Sequence, residues 1–187
     1  PKDKYEIIVV DNASTDGSAD IAEERFSEVK IIRNRVNLGF SAGNNIGLKS
    51  ASGEYLVVLN FDTEVSVNWL LELVKTAERD DNVGLCTSKL LMFNERKILN
   101  SAGGGVHYLG FHWPKGFGKQ DGQEFNNLEE TAAASGCSLL IKREVLQKIG
   151  FFDEDYFLYG EDTDLTWRAR LYGYKAMYVP SSVVYHR

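Results

Sequence analysis

Tyr5-Glu-Ile-Ile-Val-Val-Asp-Asn-Ala-Ser-Thr-Asp-Gly-Ser18 is the stretch on which the fold turns. Residues 5–10 are short, apolar and β-branched, the pattern of a strand buried on both faces, and the run stops at Asp11. Asn12 through Ser18 supply turn and capping residues, and Ile21, Ala22 and Phe26 then form a helical stripe. A buried strand, a polar loop and a helix make the repeating unit of an α/β protein.

Outward from that unit the pattern continues. Residues 29–33 read as a second strand, and after the loop 34–39 a small-residue helix is expected over 41–51, followed by a strand over 55–59. Val67, Leu70, Leu71 and Val74 fall at i, i+3, i+4 and i+7, one face of an amphipathic helix over 67–77, and 83–87 gives another strand. Regular periodicity fades across 101–125, where Gly103-Gly-Gly, Trp113 and Phe117 share a long irregular stretch. Order returns with strands at 138–141, 176–179 and 183–185 and helices at 143–148 and 161–172. Alternating strands and helices predict a three-layer α/β/α sandwich with a mostly parallel central sheet. Its ligands sit beyond the carboxyl ends of the strands, so the loops after Val10 and Leu59 are the places to look.

Composition narrows the function. With 187 residues, 43% hydrophobic and 12% aromatic, the chain fits one domain with a packed core, and neither repeat nor linker divides it. A net charge of -6 argues against a broad basic face for nucleic acid, so an anionic ligand needs local help from a metal or helix N-termini. No apolar run reaches the roughly 18 residues of a membrane span and no secretory leader is evident, so a cytoplasmic chain is expected. Cys86 and Cys137 lack zinc-site spacing and read as buried free thiols.

Three acidic stations stand out: Asp11, Asp62 in Leu59-Asn-Phe-Asp-Thr-Glu64, and the Glu161-Asp-Thr-Asp164 run. An aspartate just past a buried strand lies at the sheet's open edge, where its oxygens can hold a hard cation; Asp62 equally suits a simple turn or helix cap. Glu161 and Asp162 open a helix whose dipole favours acids there, and Asp164 is spaced for an ordinary ion pair with Arg168. The flanking Tyr156-Phe-Leu-Tyr-Gly160 is apolar, and a carboxylate held partly desolvated gains basicity suited to a general base. His186 ends a β-branched strand and either completes a metal site with Asp62 or is structural. There is no Walker-type loop, no complete dinucleotide fingerprint and no Gly-x-Ser-x-Gly elbow, which removes kinase, dehydrogenase and serine-hydrolase readings.

Taken together, Val10-Asp-Asn-Ala-Ser-Thr-Asp-Gly-Ser18, Asn37-Leu-Gly-Phe-Ser-Ala-Gly-Asn-Asn45, Leu59-Asn-Phe-Asp-Thr-Glu64 and Gly160-Glu-Asp-Thr-Asp-Leu-Thr-Trp-Arg168 resemble the family 2 glycosyltransferases in order and spacing. The likeness extends over nearly the whole chain, and is closest to the branch with bacterial rhamnosyltransferases that build cell-surface polysaccharide. It implies a nucleotide-diphospho-sugar transferase fold, with residues 1–90 binding nucleotide and 91–187 binding acceptor and carrying catalysis. By the same resemblance Asp11 reads the donor base, with Asn12, Ser14, Asn37, Gly43 and Asn60 around the donor. Asp62 and His186 match the ligands of Mg2+ or Mn2+, Asp162 matches the general base, and Glu161 is its neighbour.

The reaction implied is an inverting displacement from a dTDP- or UDP-sugar onto a glycan or lipid-linked acceptor, with peripheral association at the inner face of the membrane. The stretch 101–125 is expected on the acceptor side. Two departures from the family pattern stand in the chain: Asn60 and Phe61 precede Asp62 where an Asp or Pro is usual, and the chain opens at what would be the second strand, so the first is expected to be missing. A non-catalytic binding or assembly module is the alternative of a different class. A nucleotidyltransferase is weaker, because the glycine-rich basic loop it needs is absent.

Overall fold

The computed structural model describes residues 4–187. The first half runs β1 (Ile8–Asp11), α1 (Ser18–Arg25), β2 (Lys30–Arg33), α2 (Gly39–Ser50), β3 (Tyr55–Leu59), β4 (Thr63–Val65), α3 (Trp69–Ala77) and β5 (Val83–Met92). Then come three short strands, β6 (Leu99–Ser101), β7 (Gly104–Val106) and β8 (His112–Pro114), and β9 (Glu129–Glu130). The chain closes with β10 (Ser138–Lys142), α4 (Arg143–Ile149), α5 (Glu161–Leu171) and β11 (Lys175–His186).

The layers follow from side chains alternating across strands. In β10, Leu139 and Ile141 join Leu85, Val145, Leu146, Leu165 and Ala169 on the face covered by α4 and α5, with Leu48 of α2 in the same cluster. Leu140 points the other way and packs with Cys86, Leu73 and Ala77 beneath α3. The three-layer α/β/α arrangement expected from the sequence is therefore the one found.

Strand pairing differs from the mostly parallel expectation. The larger sheet has the order β3-β10-β5-β11-β4, with β6 and β9 added beside it, and β1 and β2 pair in parallel as a sheet of their own. Only β5 and β11 pair in parallel within the larger sheet; β10 is antiparallel to both β3 and β5, and β4 is antiparallel to β11. β3, β5 and β11 do run the same way, as strand–helix alternation demands. Alternation fixes direction between successive strands but not which later strand is inserted between them, and β10 fills that gap from the far end of the sequence.

The stretch 101–125 is also more ordered than its composition suggested. β7 and β8 form a hairpin in register Gly105↔Trp113, and a 3-10 turn spans Gln123–Phe125. Three-residue strands built largely of glycine carry no alternation to read. A buried cation fixes the far end of this stretch: Lys89, with its side chain 3% exposed, reaches Asp121 at 2.8 Å and Asn126 at 2.6 Å. The Tyr178 hydroxyl donates to the Phe125 carbonyl at 2.9 Å beside it. Both cysteines are buried and unpaired, and burial pushes each thiol up to about 12. Among the described residues no helix is long and apolar enough to cross a membrane.

Replacing Lys89 with alanine removes the only cation bonded to Asp121 among the described residues and is expected to cost about 2–4 kcal/mol, read from the midpoint of urea unfolding. An unchanged midpoint would show that the 115–128 segment is held by other contacts.

Candidate active site

β3 and β11 run in one direction and leave their carboxyl ends at a single edge of the sheet, while β10 runs against them and starts there. Asp62 follows β3 in the turn to β4, and His186 is the last residue of β11. β4 then folds back onto β11 in register, His186 opposite Thr63, which carries Asp62 to the imidazole. The Asp62 Oδ1 to His186 Nε2 distance is 3.4 Å, and the backbone N–H of Arg187 donates to the Asp62 carbonyl at 3.2 Å. His186 Nδ1 is buried without a hydrogen-bond partner. A carboxylate and an imidazole converging at an open edge fit a divalent cation that takes its remaining ligands from phosphate and water, the usual mode for Mg2+. Among the described residues no group of three or more His, Cys, Asp or Glu side chains converges as a ready-made metal cage.

Asp162 stands at the start of α5. Its Oδ2 accepts from the Gly136 N–H at 2.8 Å and its Oδ1 from the Thr163 N–H at 2.7 Å, so backbone donors fix its orientation. Glu161 is 5% exposed, and its Oε2 has no partner. Burial raises the Glu161 pKa; the charge of Asp162 adds to the rise, and backbone donors, its own N–H first, oppose it. The two adjacent acids thus divide: Glu161 takes the desolvation, Asp162 takes the hydrogen bonds. Asp164 and Arg168 form the expected i, i+4 ion pair at 2.7 Å, and Arg168 also donates to the carbonyls of Ile149 and Phe151.

At the end of β1, Asp11 Oδ1 accepts from the Ser14 N–H at 2.9 Å, and these Ser14 contacts hold its carboxyl below the ordinary value. Asp11, Ser14, Thr15, Gly17 and Arg33 line an open cleft of about 360 Å³. A larger cleft of about 510 Å³ lies at the opposite end of β3, around Tyr55 and Arg143, and contains none of the sequence-predicted residues. Asn12 is spent on the scaffold: its amide N–H donates to Asn37 Oδ1 and the Gly39 carbonyl, and its oxygen accepts from Asn34 and the Leu38 N–H. Gly43 leaves room for it, since a Cβ there would stand 3.3 Å from Asn12 Nδ2. Asn12, Asn37 and Gly43 therefore form one latch that shapes the loop before α2.

The latch and the acids are joined. Gly39 has φ +80 and lies so close to Phe157 that a Cβ would meet its carbonyl at 2.5 Å. The Phe40 N–H donates to that same carbonyl at 2.7 Å. A Cβ on Gly136 would stand 3.1 Å from the Phe40 ring and 3.4 Å from Asp162 Cβ. The next residue, Cys137, accepts from the Asn60 N–H at 3.0 Å, two residues before Asp62. The loop 135–137 thus ties Asp162 to the Asp62 turn. Sequence reading missed this loop, whose small residues resemble any connection, and it missed Asn45, which is 1% exposed and bonded to both backbone groups of Phe152. A buried amide within a small-residue helix was the available signal.

The family model for glycosyl transferase family 2 matches residues 1–150. N-acetylglucosaminyl-diphospho-decaprenol L-rhamnosyltransferase of Mycobacterium tuberculosis is 30% identical over 202 aligned residues, covering 96% of this chain and 66% of the relative. Among solved structures, GalNAc-T7 with UDP, GalNAc and Mn2+ superposes with a TM-score of 0.78 at 22% identity, over 97% of this chain and 37% of that one. The mannosyltransferase PcManGT from Pyrobaculum calidifontis in complex with GDP-Man and Mn2+ gives 0.71 at 23% identity, over 100% of this chain and 48% of that one. The chain thus spans about two thirds of the mycobacterial relative and less than half of either structure. At such identities the structural likeness carries the fold.

Two outcomes are expected from this geometry. Gly39→Ala introduces both a left-handed alanine and a clash with backbone, and should cost about 2 kcal/mol or more in chemical unfolding. Glu161 has a folded pKa above its ordinary 4.5, so its ionisation favours the unfolded chain: stability is intact below 4.5 and falls as pH rises through the folded value. Glu161→Gln removes that loss, and the Tm difference between variant and parent should grow with pH across this window; a constant difference would contradict the assignment.

Proposed function

Because the chain belongs to glycosyl transferase family 2, we propose that it transfers a sugar from a nucleoside diphosphate to an acceptor hydroxyl, with inversion and with a divalent cation. The observation that carries this reading is the meeting of Asp62 and His186 at 3.4 Å on the edge where the loop 135–137 also holds Asp162.

In this reading Asp62 and His186 hold Mg2+ or Mn2+, which when bound neutralises charge on the diphosphate of the donor. The Mn2+ named with both solved structures, the UDP and GalNAc of one and the GDP-Man of the other support a cation and a nucleoside-diphosphate donor. Asp11 and the cleft beside it take the base, and the latch of Asn12, Asn37 and Gly43 shapes the donor loop, with Ser14 and Asn60 bordering it.

Asp162 takes the proton of the acceptor hydroxyl. Its Oδ1 accepts from both the N–H and the hydroxyl of Thr163, whereas Oδ2 accepts only from the Gly136 N–H and keeps a lone pair, so it remains a competent acceptor in a fixed orientation. As that proton moves to Asp162, the acceptor oxygen bonds to the anomeric carbon and the bond from that carbon to the diphosphate oxygen breaks. One displacement inverts the configuration, and no sugar is attached to the protein. Glu161, its buried neighbour at the start of α5, keeps one oxygen without a partner.

The mycobacterial relative acts, by its name, on N-acetylglucosaminyl-diphospho-decaprenol, which supports a lipid-linked acceptor in cell-surface polysaccharide synthesis, and the donor in this reading is a dTDP- or UDP-sugar. Such an acceptor brings the protein to the inner face of the membrane.

Calorimetric titration of UDP and dTDP with and without Mn2+ tests the donor site. Binding is expected to require Mn2+ and to be lost in Asp62→Ala and His186→Ala; no binding by the parent under any condition would favour a non-catalytic module. Asp162→Asn should keep nucleotide affinity while kcat falls about 10²–10⁴-fold. Trp113→Ala should raise the acceptor KM more than it weakens donor binding, and equal losses would remove 101–125 from the acceptor side.

A further inference from the structure

The β7–β8 hairpin ends in an apolar protrusion that none of the described residues covers. Tyr108 is 83% exposed, Leu109 64% and Phe111 70%, and Trp113 stands half-exposed below them. The turn itself is well formed: the His107 N–H donates to Phe111 at 2.7 Å, the Gly110 N–H returns to His107 at 2.8 Å, and Gly110 has φ 87. Its side chains are therefore held outward on a built turn. At the base, the Trp113 indole lies over Gly105, where a Cβ would collide with it, and Gly104 is tied to Thr131 at 2.8 Å.

Charge is distributed around this tip in a telling way. Residues 98–114 contain no Asp, Glu, Lys or Arg, although 26% of the chain is charged. The uncharged stretch is bounded by Arg96, Lys97, Lys115 and Lys119, against Glu95 alone, so residues 93–120 carry a net +3 within a chain of net -6. Arg96 pairs with Glu64 and Lys115 with Glu129, while Lys97 and Lys119 have no ion-pair partner among the described residues. These two lysines lie on adjoining backbone, where Leu99 donates to the Lys119 carbonyl and Asp121 to that of Lys97. Three-residue strands lift the tip roughly 10 Å above its root. Amphipathic elements that rest in a membrane interface bury their apolar side about 5–10 Å deep, with Lys and Arg left at the headgroups.

We propose that the tip 107–111 inserts into the interface of an anionic lipid bilayer, with Lys97 and Lys119 on its headgroups. Aromatic rings with polar edges suit that layer, and local positive charge suits an anionic surface in a protein whose overall charge would be repelled by it. The hairpin root contacts Thr131 and Ala133, and the chain from there leads directly to Gly136 and its bond to Asp162. A docked hairpin would thus present the base toward a lipid-linked hydroxyl. That role rests on the transferase reading above; membrane binding by the hairpin does not.

Sedimentation with vesicles of phosphatidylcholine alone, and of phosphatidylcholine mixed with phosphatidylglycerol, provides the test, with size-exclusion chromatography alongside. The parent chain should bind the mixed vesicles more tightly than the neutral ones, and added salt should reduce the difference. Tyr108→Ser, Leu109→Ser and Phe111→Ser together should lower partitioning roughly tenfold or more, with an unchanged thermal melt because all three side chains are exposed. Lys97→Gln with Lys119→Gln should remove the preference for anionic lipid. Equal binding by the triple variant and the parent, or no binding by the parent, would overturn the proposal. So would a dimer lost in the triple variant without vesicle binding, which would make the hairpin a contact between copies. Vesicle binding without Mn2+-dependent nucleotide binding would overturn the transferase reading and leave this one standing.

Discussion

Ser138 pairs with Leu59 and Leu139 with Thr87, so β10 runs against both strands it separates. Its first residues come to the edge where β3 ends, and they bring the turn 135–137 with them. That turn acts through its backbone, which is bonded on one side to Asp162 and on the other to Asn60. Were β10 parallel, its start would lie at the far end of the sheet, and Asp162 would have no backbone donor beside the Asp62 turn. The antiparallel insertion therefore positions the acids, and the core on both faces of β10 holds the insertion in place. Leu139, Leu140 and Ile141 are all 0% exposed, so a shift of one residue in register would exchange the two faces and expose neither cluster to a fitting partner.

The acids at this edge illustrate how one kind of group is given separate tasks by its surroundings. Asp11 is held ionised by Ser14, and Asp162 is oriented by two peptide N–H groups. Glu161, one residue from Asp162, is deprived of both water and a partner for one oxygen. Burying a carboxyl in this way costs free energy, and it is tolerated because the neutral form needs far less solvation. The two neighbours thus differ in surroundings although they are adjacent in sequence: burial raises the pKa of Glu161, while Asp162 is fixed by backbone donors.

Much of this was legible in the chain. The β-branched runs before Asp11 and Asp62 do form strands, but the burial on both faces expected of the first is not found: Ile8–Asp11 are only partly buried and Tyr5 and Ile7 are exposed, since among the described residues β1 pairs only with β2. The stripe from Val67 to Val74 marks a helix, yet it starts at Trp69 and leaves Val67 and Leu71 exposed. The pairing of Asp62 with His186 was readable as a pair of residue types that suit one cation, but residues so far apart in sequence give no local sign of adjacency. That depends on β4, three residues long and too short to show a period. The mixed sheet was hidden for a related reason: hydrophobic pattern reports burial, and burial is the same for parallel and antiparallel neighbours. Asn12 was read through resemblance as a donor contact, whereas its four hydrogen bonds are all internal. Side-chain amides suit both roles equally, and only geometry separates them.

Tyr159 and Gly160 together show why the loop before α2 and the start of α5 behave as one body. Both adopt left-handed backbone, with φ 69 and φ 98, and a tyrosine there is strained by an estimated 1–3 kcal/mol. Such strain persists only where neighbours dictate the conformation. Here the Phe157 carbonyl is claimed by the Phe40 N–H, and Gly39 packs against it with no room for a side chain. The residues before α5 are thus fixed by the residues that open α2, and those in turn by Asn12 at the end of β1. The loop before α2 and the start of α5 are therefore held against each other by the Asn12 side-chain amide on one side and the Phe157 carbonyl on the other, so the backbone on either side of the Gly39 contact is fixed by its partner.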